Sequence, residues 1–151
     1  MDWLTDICAR LSGRSFGLVA THGDLTMSNV LVDGAGPLAV VDWENARATG
    51  LPLTDLYYAA ADAHAAAARY RRRADSLIAT LDSRSEYGRF VSTLAHHVDS
   101  ATLGDPLLHT FAVHALAIRH AADEHVKNRP GSQPFVSLAR WLAGRTSAQH
   151  P

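Results

Sequence analysis

Val19-Ala20-Thr21-His22-Gly23-Asp24-Leu25-Thr26-Met27-Ser28-Asn29 leads into Val30-Leu31-Val32, a turn over residues 33–37, and Leu38-Ala39-Val40-Val41-Asp42-Trp43-Glu44. This stretch decides how the rest of the chain is read. Val30-Leu31-Val32 and Leu38-Ala39-Val40-Val41 are apolar and rich in β-branched residues, and Asp33-Gly34-Ala35-Gly36-Pro37 between them has the composition of a hairpin turn. Residues 21–29 read as a loop. Because a hairpin returns its second strand beside its first, Asn29 just before one strand and Asp42 just after the other are expected to lie together, with Asp24 five residues before Asn29. Three oxygen-bearing side chains then converge. Magnesium suits such a place, since it prefers oxygen ligands and takes one or two carboxylates together with substrate phosphates.

Upstream, Trp3, Leu4, Ile7, Cys8 and Leu11 recur at spacings of three and four, which predicts a short amphipathic helix over residues 2–11 with Cys8 as a buried small hydrophobe. Downstream, Asn45 to Pro52 reads as loop, with Gly50 and Pro52 as breakers and Thr54 as the N-cap of a helix. Everything after Thr54 reads as helical. An alanine-rich helix runs over residues 54–73 and either continues or restarts over 74–81. Residues 86–100 present Tyr87, Phe90, Val91, Leu94 and Val98, and residues 106–126 present Leu108, Phe111, Ala115, Ile118 and Ala122 on one face, with Pro106 in the first turn. A last helix covers residues 135–142. The expected fold class is α+β and mostly helical, a β-hairpin beside a helical bundle over residues 54–145, in one domain of 151 residues.

A 47 % hydrophobic and 19 % charged composition is that of a globular chain, which excludes disorder and collagen-like repeats. No apolar run reaches the roughly 20 residues that span a bilayer, and the N-terminal residues lack a signal-peptide pattern, so a cytoplasmic protein without membrane contact is expected. A net charge of −1 argues against a nucleic-acid partner held by counterion release. One cysteine allows no internal disulfide. His120 and Glu124 share a helical face, but no His-Glu-x-x-His and no cysteine pair accompany them, so a solvated or core histidine is the simpler reading than zinc. Arg69, Arg71, Arg72 and Arg73, with Tyr70 among them, are read as charge at the C-terminal end of a helix dipole. The alanines at 59–61 and 65–68 are read as helix propensity and close packing.

The order His22-Gly23-Asp24, Asn29, then a hairpin and Asp42-Trp43-Glu44, followed by Gly50, Pro52 and Asp55-Leu56, resembles the catalytic loop and metal motif of kinase-like phosphotransferases. With Gly23 in place of the protein-kinase arginine and Trp43-Glu44 in place of Phe-Gly, it is most similar to the aminoglycoside phosphotransferase and choline kinase family. The resemblance covers residues 19–61. It implies the C-terminal lobe of a protein-kinase-like fold and transfer of the terminal phosphate of ATP, or GTP, to a small-molecule hydroxyl with Mg²⁺. Asp24 would accept or orient the hydroxyl proton, Asn29 and Asp42 would hold the metal, and His22 and Asp55 would support the loop. Glu44 lies close enough to be a further metal ligand or to act behind one.

About a dozen residues separate Asp42 from Thr54, too few for the activation segment of a protein kinase. That favours a small acceptor. Aminoglycosides are polycations, yet Asp99, Asp105, Asp123 and Glu124 are balanced by Arg119, Lys127 and Arg129, so an antibiotic acceptor does not follow. The 21 residues before His22 contain no lysine and no glycine-rich loop, and the sole lysine is Lys127. The N-terminal lobe is therefore expected to be absent. That implies weak activity for these residues alone, and an apolar surface covered by self-association or by a chain supplying the missing lobe. The rival expectations are a non-catalytic pseudo-kinase remnant serving as a scaffold, and a metal-dependent hydrolase using the same carboxylates.

Overall fold

The computed structural model describes residues 3–15, 17–32, 34, 38–100, 106–126 and 133–147. Among them the chain runs α1 (Trp3–Leu11), β1 (Val19–Thr21), β2 (Val30–Leu31), β3 (Ala39–Val40), β4 (Arg47–Gly50), α2 (Thr54–Ala67), α3 (Arg73–Leu81), α4 (Glu86–Ser100), α5 (Pro106–Val126) and α6 (Pro134–Ser147). Short 3-10 turns at Met27–Asn29 and Trp43–Asn45 stand directly before β2 and after β3. The architecture is mostly helical, with two small antiparallel sheets. In one, Val30 pairs with Val40 and Leu31 with Ala39, forming the expected hairpin. Four of the residues of its turn, Asp33 and 35–37, lie outside the described residues.

The second sheet corrects the reading of residues 45–52 as loop. Arg47–Gly50 is a strand that pairs antiparallel with β1, with Val19 opposite Gly50, Thr21 opposite Arg47, and an irregularity between. Its Arg-Ala-Thr-Gly sequence carries no alternation that would mark a strand. The pairing comes from β1 beside it. This sheet frames the loop, since β1 ends at Thr21 and hands the chain to His22.

Burial belongs to the helices. α5 packs on α6 and α2, α3 on α2, α4 and α6, and α1 on α6. Leu77, Val91, Leu108 and Leu138 are among the most deeply buried side chains. Two apolar faces are rotated from the expected ones. On α4, Val91 and Ala95 are buried, while Phe90, Leu94 and Val98 stand exposed. On α5, Leu108, Ala112, Leu116 and Ala117 are buried, and Ile118 is exposed. In both helices alanines enter the core, where their small size lets neighbouring helices approach. α5 is apolar over much of its circumference, so its sequence does not announce which stripe faces inward.

Other local readings also change. Cys8 is exposed rather than buried. Thr54 is the first residue of α2, not its N-cap: Leu53 takes the cap position in the left-handed region at φ +68°, and the Thr54 hydroxyl donates to the Leu51 carbonyl at 2.8 Å. The helix over residues 54–73 ends at Ala67, and a tight turn through Arg69, Tyr70 and Arg72, all at positive φ, starts a separate helix at Arg73. The arginine cluster therefore forms a connection between helices. Arg72 pairs with Asp75 at 2.6 Å, and Arg73 approaches Asp62 at 3.8 Å. The last helix is longer than residues 135–142. No described helix is long and apolar enough to cross a membrane.

Candidate functional site

His22, Gly23 and Asp24 follow β1 directly, and their backbone is tied down by a carboxylate from α2. The His22 amide donates to Asp55 Oδ2 at 2.6 Å, and the Gly23 amide donates to Asp55 Oδ1 at 3.0 Å. One carboxylate thus fixes two consecutive peptide groups, and a charged acceptor makes such bonds stronger than neutral ones. His22 is buried, with Nε2 at 2.9 Å from the Val41 carbonyl and Nδ1 at 3.4 Å from the Asp24 amide nitrogen. Only the tautomer with hydrogen on Nε2 serves both partners: Nε2–H donates to Val41, and Nδ1 accepts from Asp24. The imidazole therefore links the end of β3 to the loop. The Trp43 ring packs on it at 4.7 Å between centroids, and Trp43 Nε1 donates to the Val40 carbonyl at 2.8 Å.

Gly23 sits at φ +82°, and a Cβ there would stand 2.5 Å from the Asn45 carbonyl oxygen. Only glycine meets both the backbone angle and that approach without displacement. After it the loop closes on itself. The Asp24 carbonyl accepts from the Thr26 amide at 2.9 Å and from Asn29 Nδ2 at 2.9 Å, and the Thr26 carbonyl accepts from the Asn29 amide at 3.1 Å.

Asn29 is buried. Its carbonyl accepts from the Val41 amide at 3.0 Å, so the hairpin brings Asn29 beside the residue that precedes Asp42. Because Nδ2 is spent on Asp24, the side-chain oxygen of Asn29 is the end left to meet a cation. Asp42 is exposed and left-handed, at φ +65° and ψ +59°, a conformation that aspartate tolerates better than most residues. Glu44 is exposed in the following 3-10 turn. Hard oxygen donors from an amide and a carboxylate fit Mg²⁺, which keeps waters and shares phosphate oxygens rather than needing a full protein cage. Among the described residues no three His, Cys, Asp or Glu side chains converge as a metal site.

Asp24 opens onto a cleft of about 350 Å³ whose far wall comes from α5 and α6. Tyr58, Arg73, Arg119, His120, Asp123, Glu124 and Phe135 line it. A neighbouring cavity of about 690 Å³ continues it past Arg119 and His120 toward Arg47, Thr49 and Asp55. Tyr58, His120 and Phe135 form a three-ring cluster: the imidazole stacks on Tyr58 at 4.4 Å and on Phe135 at 4.6 Å between centroids, and the two outer rings meet each other at 5.8 Å. Burial, then the Asp24 carboxylate, pushes the Tyr58 phenol up to about 12, so it remains a donor beside Asp24. Burial, then Arg119, brings His120 down to about 4. Glu124 Oε2 accepts from the amides of Phe135 at 3.0 Å and Val136 at 3.2 Å, so this carboxylate caps α6. The side chains of Asp99, Asp105, Lys127 and Arg129, weighed above as acceptor-binding charges, lie outside those described.

Tyr58, Arg73 and His120 were not foreseen as cleft residues. Tyr58 and Arg73 come from α2 and the start of α3, and His120 from α5, so only tertiary packing unites them. Among protein families, the model of the phosphotransferase enzyme family matches residues 2–87. No curated protein and no solved structure matches the chain.

Proposed function

Because the chain belongs to the phosphotransferase enzyme family, we propose that it transfers the terminal phosphate of ATP or GTP to the hydroxyl of a small molecule, with Mg²⁺, in the cytoplasm. The observation that carries this reading is the loop. Asp24 borders an open cleft, while the amides of the two residues before it are held by Asp55 and its own carbonyl by Asn29. Phosphoryl transfer asks mainly for positioning and charge neutralisation, which a rigid loop beside a cleft supplies.

In this reading Asp24 takes, or orients, the proton of the acceptor hydroxyl as its oxygen bonds to phosphorus and the bond to the departing nucleotide oxygen breaks. Asn29 and Asp42 would hold the metal, with Glu44 as a further donor to it or its waters. Mg²⁺, when bound, neutralises charge on the phosphates. His22 and Asp55 hold the loop. Tyr58, held protonated, donates toward Asp24 and keeps that carboxylate aimed at the cleft.

An apolar face covered by self-association, or by a chain supplying a nucleotide-covering lobe, belongs to the same proposal. Leu18, Leu31, Val32, Leu38 and Trp43 on and around the strands are each more than half exposed, which supports a covered face. A monodisperse monomer by light scattering, binding no hydrophobic dye, would remove this part. For the 151 residues alone, turnover is expected to fall well below the roughly 1–100 per second of typical kinases.

The test is a calorimetric titration with Mg²⁺ and ATP. Binding that is lost in Asp42→Asn supports the reading, and absence of binding by folded protein counts against it. A pure scaffold would instead keep its association unchanged in Asp24→Ala, with no phosphoryl transfer at any stage.

A further inference from the structure

Asp55 and Asp62 stand seven residues apart on α2, which is two turns and nearly the same face. Asp55 holds the first two amides of the loop. Asp62, whose side chain is 2 % exposed, accepts the Met27 amide on Oδ2 at 2.8 Å. Met27 begins the 3-10 turn that ends in Asn29. The loop that carries Asp24 is therefore pinned to one helix at both of its ends.

We propose that Asp62 is a second positioning carboxylate, which sets the Met27–Asn29 turn and so the place of the Asn29 side chain. This rests on the phosphotransferase reading for its consequence, but the clamp itself is testable without it. Asp62 is in turn held by the connection that follows α2. The Tyr70 hydroxyl donates to Oδ2 at 3.1 Å, and Arg73 Nη2 lies 3.8 Å from Oδ1.

That connection places Arg69, Tyr70 and Arg72 in the left-handed region, which non-glycine residues avoid. Backbone of this kind persists only where surrounding contacts hold it. The Tyr70–Asp62 hydrogen bond is one such contact. The arginine-rich turn thereby gains a role that its charge did not suggest: it presents Tyr70 and Arg73 to a buried carboxylate serving the loop. Arg73 also lines the cleft, so the same guanidinium touches the cleft wall and the clamp.

The test is amide hydrogen exchange of the full chain. Asp62→Ala should raise exchange at residues 27–29 by about tenfold or more, as expected when a half-buried amide loses its carboxylate acceptor. Helices α4 and α6 should stay protected. Asp62→Asn keeps an oxygen for Met27 and should restore most of the protection, and Tyr70→Phe should give a smaller rise confined to the same segment. Affinity for Mg²⁺–ATP should fall in the order Tyr70→Phe, then Asp62→Ala.

Unchanged loop exchange in folded Asp62→Ala overturns the proposal. So does a rise spread evenly over all helices in the Asn and Tyr70→Phe variants, which would make Asp62 a general core residue. If Asp62→Ala does not fold, those two milder variants decide. Failure of the wild-type chain to bind Mg²⁺–ATP would count against the proposed function and leave the exchange result to judge the clamp.

Discussion

Replacing Gly23 with alanine tests the geometry on which the loop depends. Two costs add. A Cβ at φ +82° costs about 1–2 kcal/mol for a left-handed L-residue. The same Cβ would lie 2.5 Å from the Asn45 carbonyl oxygen and 3.4 Å from Arg119 Nη2. The arginine can swing away, but Asn45 is backbone, so the loop or the turn after β3 must shift, at about 1–3 kcal/mol. The expected total is about 3 kcal/mol, or about 6–12 °C in melting temperature for a chain of this size. Gly13→Ala is the internal control, because Gly13 has φ +77° with nothing within 4 Å of the added carbon. It should cost about 1–2 kcal/mol, the conformational part alone. Urea unfolding of both variants, read by two probes to check two-state behaviour, measures the difference. Equal losses, within about 0.5 kcal/mol, would refute the close approach at Asn45.

Two further outcomes follow from the cleft wall. His120 has a folded-state pKa of about 4 against an ordinary 6.5, so the unfolded chain binds more protons between those values. Stability should therefore fall as pH drops from about 6.5 to about 4, by roughly 3 kcal/mol. His120→Phe keeps a ring against Tyr58 and Phe135 but removes the titration, and urea unfolding at pH 7 and 4.5 should show most of that loss gone. Glu124→Ala leaves the Phe135 and Val136 amides without their carboxylate at the start of α6, and should cost about 1–2 kcal/mol by thermal unfolding.

What could be read from the sequence was local. The hairpin is marked by its own residues on both sides of a turn, and Val30 does pair with Val40. The His22-Gly23-Asp24 segment is contiguous, so its neighbourhood is given by bonding. What could not be read was non-local or unpunctuated. β4 exists because β1 lies beside it, and Arg47-Ala48-Thr49-Gly50 contains little that prefers a strand. The break between α2 and α3 falls at Arg69, Tyr70 and Arg72, none of which is the glycine or proline that would announce it. Tyr58 and His120, 62 residues apart in the chain, stack only after α2 and α5 have packed. A signal for Asp62 was present, since a carboxylate two turns after Asp55 must share its face. It needed the prior idea that Asp55 faces the loop.

Helix α2 explains why a loop this exposed to function can be held so firmly. Ala61 and Ala65 are buried at 1 % and 0 % exposure, and their small side chains allow α3 and α5 to pack close against α2. The neighbouring face carries Asp55 and Asp62, which hold the loop, and Tyr58 lies between those faces and borders the cleft. An alanine-rich helix has little apolar stripe of its own, so its position is set by close packing. A helix so fixed is a stiff support, because packed interiors transmit displacement rather than absorb it. The two carboxylates then need only hydrogen-bond geometry to place Asp24 and Asn29. The alanines, which carry no chemistry, are thus the reason that the carboxylates can act as fixed points.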